Sequence, residues 1–538
     1  LFLGHYEGSS LSFEVMQTPH LHLKENGAEC YLIGEILSDP DEIDYAFHQF
    51  IRDRQPEHIL FLRGNYQTII RISNELWMFS DLANVRPLYH AKQGNSFLFS
   101  SHLTPIQKQV QSTCNVSWFQ RSLSVSGFCI EEETPYQRIK RVPSGFGLSI
   151  SPQGERVVQA WNVDQEVPLS WEEAQRDLRE ELTASVRLRC QGKRVTSDLS
   201  GGLDSSTITW IASREKPIKA LTIIGKEEDE DGKIAREVAG VQENIQHFIW
   251  QQDDIPLIYS HMDQIRTDTP ISFLWSANKV KKKMKWAREN QSEVHFSGEG
   301  GDTVLGADFT YLVDLLRQGK WKTFYSHVYG WAVQKKESPF LWISGALRRV
   351  FHLPFHPRQR NPLSTVGNQA DWFKFSPMVR DVRFSRYQGV NKTMYGIQYL
   401  GYVSQGLKDL ANQEQVLLCV PYLDHNVIRI CMRTPSELKM NPHELKPLLK
   451  GAFQDELPSS LLNRNTKGDY TSDVYYGMRQ QFSWFQEHFR EMALSDMGLV
   501  DLPAFQECVH RLSLGVPVKL PEFHHTLSLE LWLRQNVR

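Results

Sequence analysis

Ser200-Gly201-Gly202-Leu203-Asp204-Ser205-Ser206 follows a strand-like run from Val195 to Leu199 and precedes a segment whose Ile208, Ile211 and Ala212 fall on one helical face. A glycine-rich turn between a strand and a helix lets backbone N–H groups come close to phosphate oxygens, and the helix dipole favours the negative charge. Neither G-x-x-x-x-G-K-[ST] nor G-x-G-x-x-G occurs in the chain, so the usual mononucleotide and dinucleotide loops are excluded. The stretch therefore predicts a β-turn-α unit built to hold a pyrophosphate.

The same alternation extends on both sides. EEAQRDLREELTASVRLR reads as helix, KRVTSDLS as strand, STITWIASRE as helix, IKALTIIG as strand, GKIAREVAG as helix and NIQHFIW as strand, with SEVHFSG following a further helix. That order implies βαβ units and a mainly parallel sheet, with ligands outside the carboxyl ends of its strands. Upstream, Ser170-Trp171-Glu172-Glu173 is a capping box that opens the first of these helices. Residues 1 to about 150 differ: CYLIGEIL, HILFLRG, QTIIRIS, ELWMFSD, SFLFSSH and GFGLSISPQG read as short strands with turn punctuation. The boundary between the two regions is placed at 151–170, giving units of 1–155 and 170–538. Beyond residue 305 the chain reads as mostly helical and rich in aromatics, with no internal repeat.

Composition narrows the function classes. The 538 residues carry 60 Lys plus Arg against 63 Asp plus Glu, a formal charge of -3 that offers no bulk attraction to nucleic acid or an anionic membrane. Hydrophobic residues at 41% and charged residues at 23% are ordinary globular usage and exclude long disorder or collagen-like repeats. The opening LFLGHYEGSS lacks a basic segment followed by an apolar one, and no apolar run approaches the roughly 18 residues of a membrane span, so a cytoplasmic protein is expected. Cys30, Cys114, Cys129, Cys190, Cys419, Cys431 and Cys508 are scattered and never in C-x-x-C spacing, which suggests neither a disulfide framework nor a zinc site.

The S-G-G-x-D-S stretch resembles the pyrophosphate loop of the ATP-pyrophosphatase superfamily, and a second motif specifies the resemblance. Ser297-Gly298-Glu299-Gly300-Gly301-Asp302 follows a strand and is similar to the S-G-E-G-x-D motif of the asparagine synthetase family. Val420-Pro421-Tyr422-Leu423-Asp424-His425 looks like that family's P-F-L-D, and LKPLLKGAFQDELPSSLLNR like its K-x-L-L-R-x-A segment. Arg464-Asn465-Thr466-Lys467-Gly468-Asp469-Tyr470 then supplies a lysine where the family has its catalytic one, offset by about one residue. Asp81 to Tyr89 resembles D-x-x-G-x-R-P-L-Y, and Thr134-Pro135-Tyr136 through Pro143-Ser144-Gly145 resembles T-P-F...P-x-G, both of the family's amino-terminal glutaminase-type domain. The resemblance implies an α/β chain: an Ntn glutaminase-like α+β sandwich, then an α/β ATP-pyrophosphatase synthetase domain with a helical C-terminal part. It implies ATP and Mg2+ as cofactors. ATP would lie against Leu199, Ser200, Gly201, Gly202, Asp204, Ser205, Ser206, Leu221, Ile223, Ser297 and Gly298, with Asp204 and Asp302 on the metal and Glu299 and Lys467 catalytic.

Departures from the family pattern predict a silent first domain. Leu1 opens the chain where the family has a nucleophilic Cys, Ile33 stands where it has Asn, Arg63 where it has Asp, and no R-L-S-I segment is found. With no ammonia from glutamine, the nitrogen must be an amine on a substrate. Two branches resemble this arrangement, the β-lactam synthetases and the lasso peptide cyclases. Glu299 and the R-x-T-K-G-D-Y wording look like the second. That branch implies a leaderless core peptide whose Asp or Glu side chain is joined to its N-terminal amine, and as partners the lasso precursor, a leader peptidase and a leader-recognition protein, with no nucleic acid and no membrane. The alternatives are a β-lactam- or asparagine-synthetase-like enzyme on a small substrate, or a non-catalytic ATP-binding scaffold. In the divergent segment 307–400, Trp321, Phe324, Tyr325, Tyr329 and Trp331 with Arg348, Arg349, Arg358 and Arg360 either line a peptide groove or form an ordinary helical core with a basic rim. Lys279, Lys281, Lys282, Lys283 and Lys285 read as a solvated helix face.

Overall fold

Short apolar runs of the amino-terminal region send alternate side chains to two different cores. The computed structural model describes residues 1–8, 10–15, 19–124, 132–225, 230–353, 363, 370–376, 384–464 and 471–537, and the account below concerns these. The strands of the first region are β1 (Phe2–Glu7), β2 (Ser10–Val15), β3 (His20–Glu25), β4 (Ala28–Ile36), β5 (Gly64–Ile72), β6 (Glu75–Phe79), β7 (Tyr89–Gln93), β8 (Ser96–Ser100), β9 (Lys140–Arg141), β10 (Phe146–Ser151) and β11 (Gly154–Gln159). They form two antiparallel sheets, in the orders β2-β1-β8-β7-β9 and β11-β10-β6-β5-β4-β3. Ile33, Ile69, Leu76 and Met78 of the second sheet meet Phe2, Tyr6, Phe97 and Phe99 of the first. Their chain neighbours Leu32, Ile70, Trp77 and Phe79 point the other way, onto Phe47 and Phe50 of the helix Pro40–Asp53. Leu98 likewise turns from that inner core to Leu103 and Ile106 of the helix Leu103–Val110. Period-two alternation with both faces apolar thus yields four layers, helix on sheet on sheet on helix.

One strand expectation fails here. HILFLRG is not a strand: Glu57–Leu60 is a short helix entered from Pro56, whose φ of -61 suits a first helical turn. Tyr66 fixes the following turn by donating its hydroxyl to the carbonyls of Ile59 (2.5 Å) and Leu62 (3.2 Å). A four-residue apolar run cannot by periodicity distinguish strand from buried helix.

The second region is a five-stranded sheet of β12 (Val195–Asp198), β13 (Ile218–Ile223), β14 (Ile245–Trp250), β15 (Val294–Phe296) and β16 (Leu417–Cys419). Every pairing is parallel, in the order β14-β13-β12-β15-β16. The chain builds outward from β12 to β14, then returns to place β15 on the other side of β12. Loops leaving β12 and β15 therefore diverge and open a crevice between their carboxyl ends. β16 was not expected in the helical tail; three residues, Leu417-Leu418-Cys419, are too few to show a period. The Ser170 capping box is present in both directions and opens the helix Trp171–Cys190. Later helices carry a separate core, in which Phe485, Phe505, Phe523 and Trp532 pack with Phe119 and Tyr136 of the first region.

A buried ion cluster joins the two regions. Glu35 of β4 lies 2.9 Å from Arg86, 2.6 Å from Arg189 and 2.9 Å from Lys408, and Arg189 continues to Asp424 at 2.7 Å. Burial alone would raise the Glu35 carboxyl, but Lys408, Arg189 and Arg86 hold it well below the usual carboxylate range. Cys419 at the end of β16 also reaches Glu35, at 3.5 Å. Cys30, Cys190, Cys419, Cys431 and Cys508 are buried free thiols, while Cys129 lies outside the described residues. No helix among the described residues is long and apolar enough to cross a membrane.

Candidate active site

The β12 pairing runs one residue past the strand, through the Leu199 N–H donating to the Leu221 carbonyl at 2.9 Å, and the chain then turns. Inside the turn the hydroxyls of Ser200 and Ser205 are 2.7 Å apart, and the Gly202 N–H donates to Ser200 Oγ at 3.2 Å. Gly201 has φ +74, and a Cβ there would collide with the Asp231 carbonyl. The helix Leu203–Glu215 opens at Gly202 with no side-chain cap, which leaves its first amides for a ligand.

The second loop locks into the first. The Ser297 N–H donates to the Cys419 carbonyl at 3.0 Å, tying the end of β15 to β16. A Cβ on Gly298 would sit 2.6 Å from the Ser205 amide nitrogen, and one on Gly301 would strike the Asp204 carboxyl. Only glycine permits this approach, so the two motifs read separately in the sequence form one surface. Between them opens a cavity of about 590 Å³.

Most of the sequence-predicted site residues meet there. Ser200, Gly202, Asp204, Ser205, Leu221, Ile223, Ser297, Gly298, Glu299 and Asp302 line the cavity. Leu199, Gly201 and Ser206 do not; Leu199 and Ser206 are fully buried behind the turn, and the Gly201 carbonyl accepts a hydrogen bond from Arg464. Lys467 lies outside the described residues.

Five charged lining residues carry no site role in the sequence reading. Lys446 forms ion pairs with Asp204 and, at 2.6 Å, with Asp302, so one ammonium gathers both carboxylates. Arg464 reaches from the Gly201 carbonyl to Asp231 and ties the loop down. Asp198, the last residue of β12, receives Lys283 at 2.7 and 2.9 Å and His295 at 3.2 Å. Lys279 joins Lys283 on the cavity wall. The lysine run is therefore not wholly a solvated face: the helix Ala277–Glu289 turns positions 279 and 283, one turn apart, into the cavity. Their i, i+4 spacing was the available signal, masked by the lysines between them.

Electrostatics single out Glu299. Burial, reinforced by Asp302, Asp198 and Asp204 and opposed by Lys283, pushes its carboxyl up to about 6. Asp198 goes the other way; burial opposes ionisation, but Lys283 and His295 hold it well below the usual range. A carboxyl with raised affinity for protons beside one that stays ionised is a common division of acid–base labour.

The aromatic segment divides. Phe324 and Trp331 are core residues packed with Trp342, whereas Trp321, Tyr325 and Tyr329 stand 52–66% exposed on successive turns of the helix Trp321–Lys335. None of the five lines the cavity. Arg349 donates to the Leu363 carbonyl at 2.6 Å, and Arg358 and Arg360 lie outside the described residues.

Comparison with known proteins gives one family match, to asparagine synthase over residues 177–534. Asparagine synthetase [glutamine-hydrolyzing] 3 of Bacillus subtilis is 23% identical over 439 residues, 73% of this chain and 64% of its own length. Asparagine synthetase [glutamine-hydrolyzing] 1 of the same organism is 24% identical over 76% of this chain and 67% of its own. A solved glutamine phosphoribosylpyrophosphate amidotransferase from B. subtilis aligns over 48% of this chain and 76% of its own at 11% identity and a TM-score of 0.20, too slight a likeness to bear on the fold.

Proposed function

The chain belongs to the asparagine synthase family, and from that premise we propose that it is an ATP-dependent ligase of the lasso peptide cyclase type, closing a macrolactam between a peptide's N-terminal amine and an Asp or Glu side chain. The observation that carries the ligase reading is the interlock of the two glycine loops, which brings Asp204, Asp302 and Glu299 around one cavity. ATP lies with its pyrophosphate on Ser200 to Ser206 and its adenosine toward Leu221, Ile223 and Gly298. The substrate carboxylate attacks the α-phosphorus, forming an acyl-adenylate and releasing pyrophosphate. The amine then attacks the acyl carbon, Glu299 takes its proton, and AMP leaves with the electron pair of the broken C–O bond. Arg464 keeps the loop in register during both steps, and the Lys446 ammonium, once a metal takes its place between the carboxylates, is left for the phosphates.

Asp204 and Asp302, gathered by one ammonium beside the phosphate loop, are a donor set that suits Mg2+, which takes one or two carboxylates and completes its shell with phosphate and water. Bound there, the metal would neutralise triphosphate charge. Lys467, by its resemblance, stabilises the oxyanion; Lys467→Ala is expected to bind ATP yet lose about 100- to 1000-fold in rate.

The first region is taken as an inactive Ntn glutaminase-like domain. Arg63 stands where the family has Asp, and its guanidinium, paired with Glu181 at 2.7 Å, is no receptor for an ammonium group. With no ammonia made, the nucleophile is an amine of the peptide. A cytoplasmic setting, a lasso precursor, a leader peptidase and a leader-recognition protein complete the reading.

Mass spectrometry of leaderless peptides with a free N-terminus and an internal Asp or Glu, incubated with enzyme, ATP and magnesium, tests it. The expected result is loss of one water with AMP and pyrophosphate in equal amount. Unchanged peptide alongside AMP formation from aspartate and ammonia would overturn the peptide reading and leave a small-molecule ligase.

A further inference from the structure

The cavity holds two separate sets of charges. One is Lys446 with Asp204 and Asp302, beside the phosphate loop. The other is Lys283 with Asp198 and His295, and it has no part in the steps above. The second set is built with unusual care. Both Asp198 oxygens engage the Lys283 ammonium, at 2.7 and 2.9 Å, and His295 Nε2 lies 3.2 Å from the same carboxylate. The other ring nitrogen of His295 is 2.9 Å from the Thr196 hydroxyl, which is 2.9 Å from Ser292. Lys283 is thereby fixed by a chain of buried partners reaching back into the sheet.

Stability alone does not explain this pair. Its side chains are only 19% and 20% exposed, and the neighbouring wall is apolar, made by Leu221 and Ile223. Replacing such an ion pair with apolar residues is often neutral or stabilising. What the pair supplies, and a Leu–Met pair would not, is an immobilised cation on the wall of a cavity that also holds Glu299. ATP brings its own negative charge to this cavity, so a second anion entering to be activated is repelled unless a cation receives it.

We propose that Lys283, positioned by Asp198 and His295, receives the carboxylate that is to be adenylated, making this wall the acceptor-carboxylate subsite. The inference rests on the adenylate-forming ligase reading but not on the peptide. Lys279, one helical turn away on the same wall, adds positive potential to that subsite.

The test uses N-acetyl-L-aspartate α-methylamide, whose side-chain carboxyl is its sole acid, titrated by NMR into the full-length protein with magnesium and a non-hydrolysable ATP analogue. Wild type and Lys283→Arg are expected to bind the probe. The Asp198→Leu/Lys283→Met double variant, which leaves no orphaned charge, is expected to bind the nucleotide within about threefold of wild type and the probe at least tenfold more weakly. Equal probe affinity in the double variant, or no probe binding by wild type, overturns the proposal. If the double variant fails to fold, Asp198→Asn/Lys283→Gln is read by the same criteria. The peptide reading fails independently, through the absence of water loss from any peptide.

Discussion

Among single residues, Glu299 carries the sharpest expectation. Its carboxyl sits at about 6 because burial and three nearby aspartates oppose ionisation. A general base works only when deprotonated, so kcat should fall as pH drops through about 6 and level off above it. The limb lies above the ordinary carboxylate range because the shift is upward. Glu299→Gln should remove the limb and about 100- to 10,000-fold of kcat, measured as AMP release against pH; an unchanged acidic limb assigns the base elsewhere. Lys446→Ala leaves Asp204 and Asp302 without the ammonium they share. It should weaken ATP about ten- to a hundredfold, the size of one lost charge-assisted contact, in a nucleotide titration. That lysine opens the K-x-L-L-R-like segment of the sequence, but its place in the cavity was not legible there. It sits in the left-handed region, φ 51, just before Pro447, and such a geometry leaves no periodic trace.

Elements position these residues, and two substitutions separate positioning from folding. Gly301→Ala places a methyl against the Asp204 carboxyl and should abolish AMP formation; a variant with normal turnover would show that the loops need not interlock. Ser170→Ala removes one side of a capping box far from the cavity. It should cost about 1 kcal/mol, seen as a lower thermal midpoint with turnover intact. The elements legible in the sequence were those with two agreeing signals, such as β12, where a strand-like run meets a glycine turn that opens a helix, and Trp171–Cys190, where helical period meets a cap. β16 has neither. The lysines of Ala277–Glu289 show the same limit within a helix, since five closely spaced like residues conceal which two point inward. Pairing of the Asp204 and Asp302 loops is a property of the sheet order, which no local pattern encodes.

At the scale of the whole molecule, the Glu35 cluster makes the two regions one folding problem. Glu35→Gln leaves Arg86, Arg189 and Lys408 without their shared anion, and breaking such a buried pair costs about 3–5 kcal/mol. It should lower the denaturation midpoint much more than Ser170→Ala does. Expression of residues 160–538 alone should give aggregated protein, because Arg189 and Lys408 lose their counter-charge and Trp532 its packing against Phe119. Recovery of a monodisperse, ATP-binding fragment would show the first region to be dispensable. The cluster also bears on descent. A lineage carrying this cluster could exchange Glu35 only together with its three cations, since changing them one at a time passes through intermediates with unmatched buried charge. The lock that stiffens this molecule therefore acts as a ratchet on its history, making these four charges far easier to keep than to exchange.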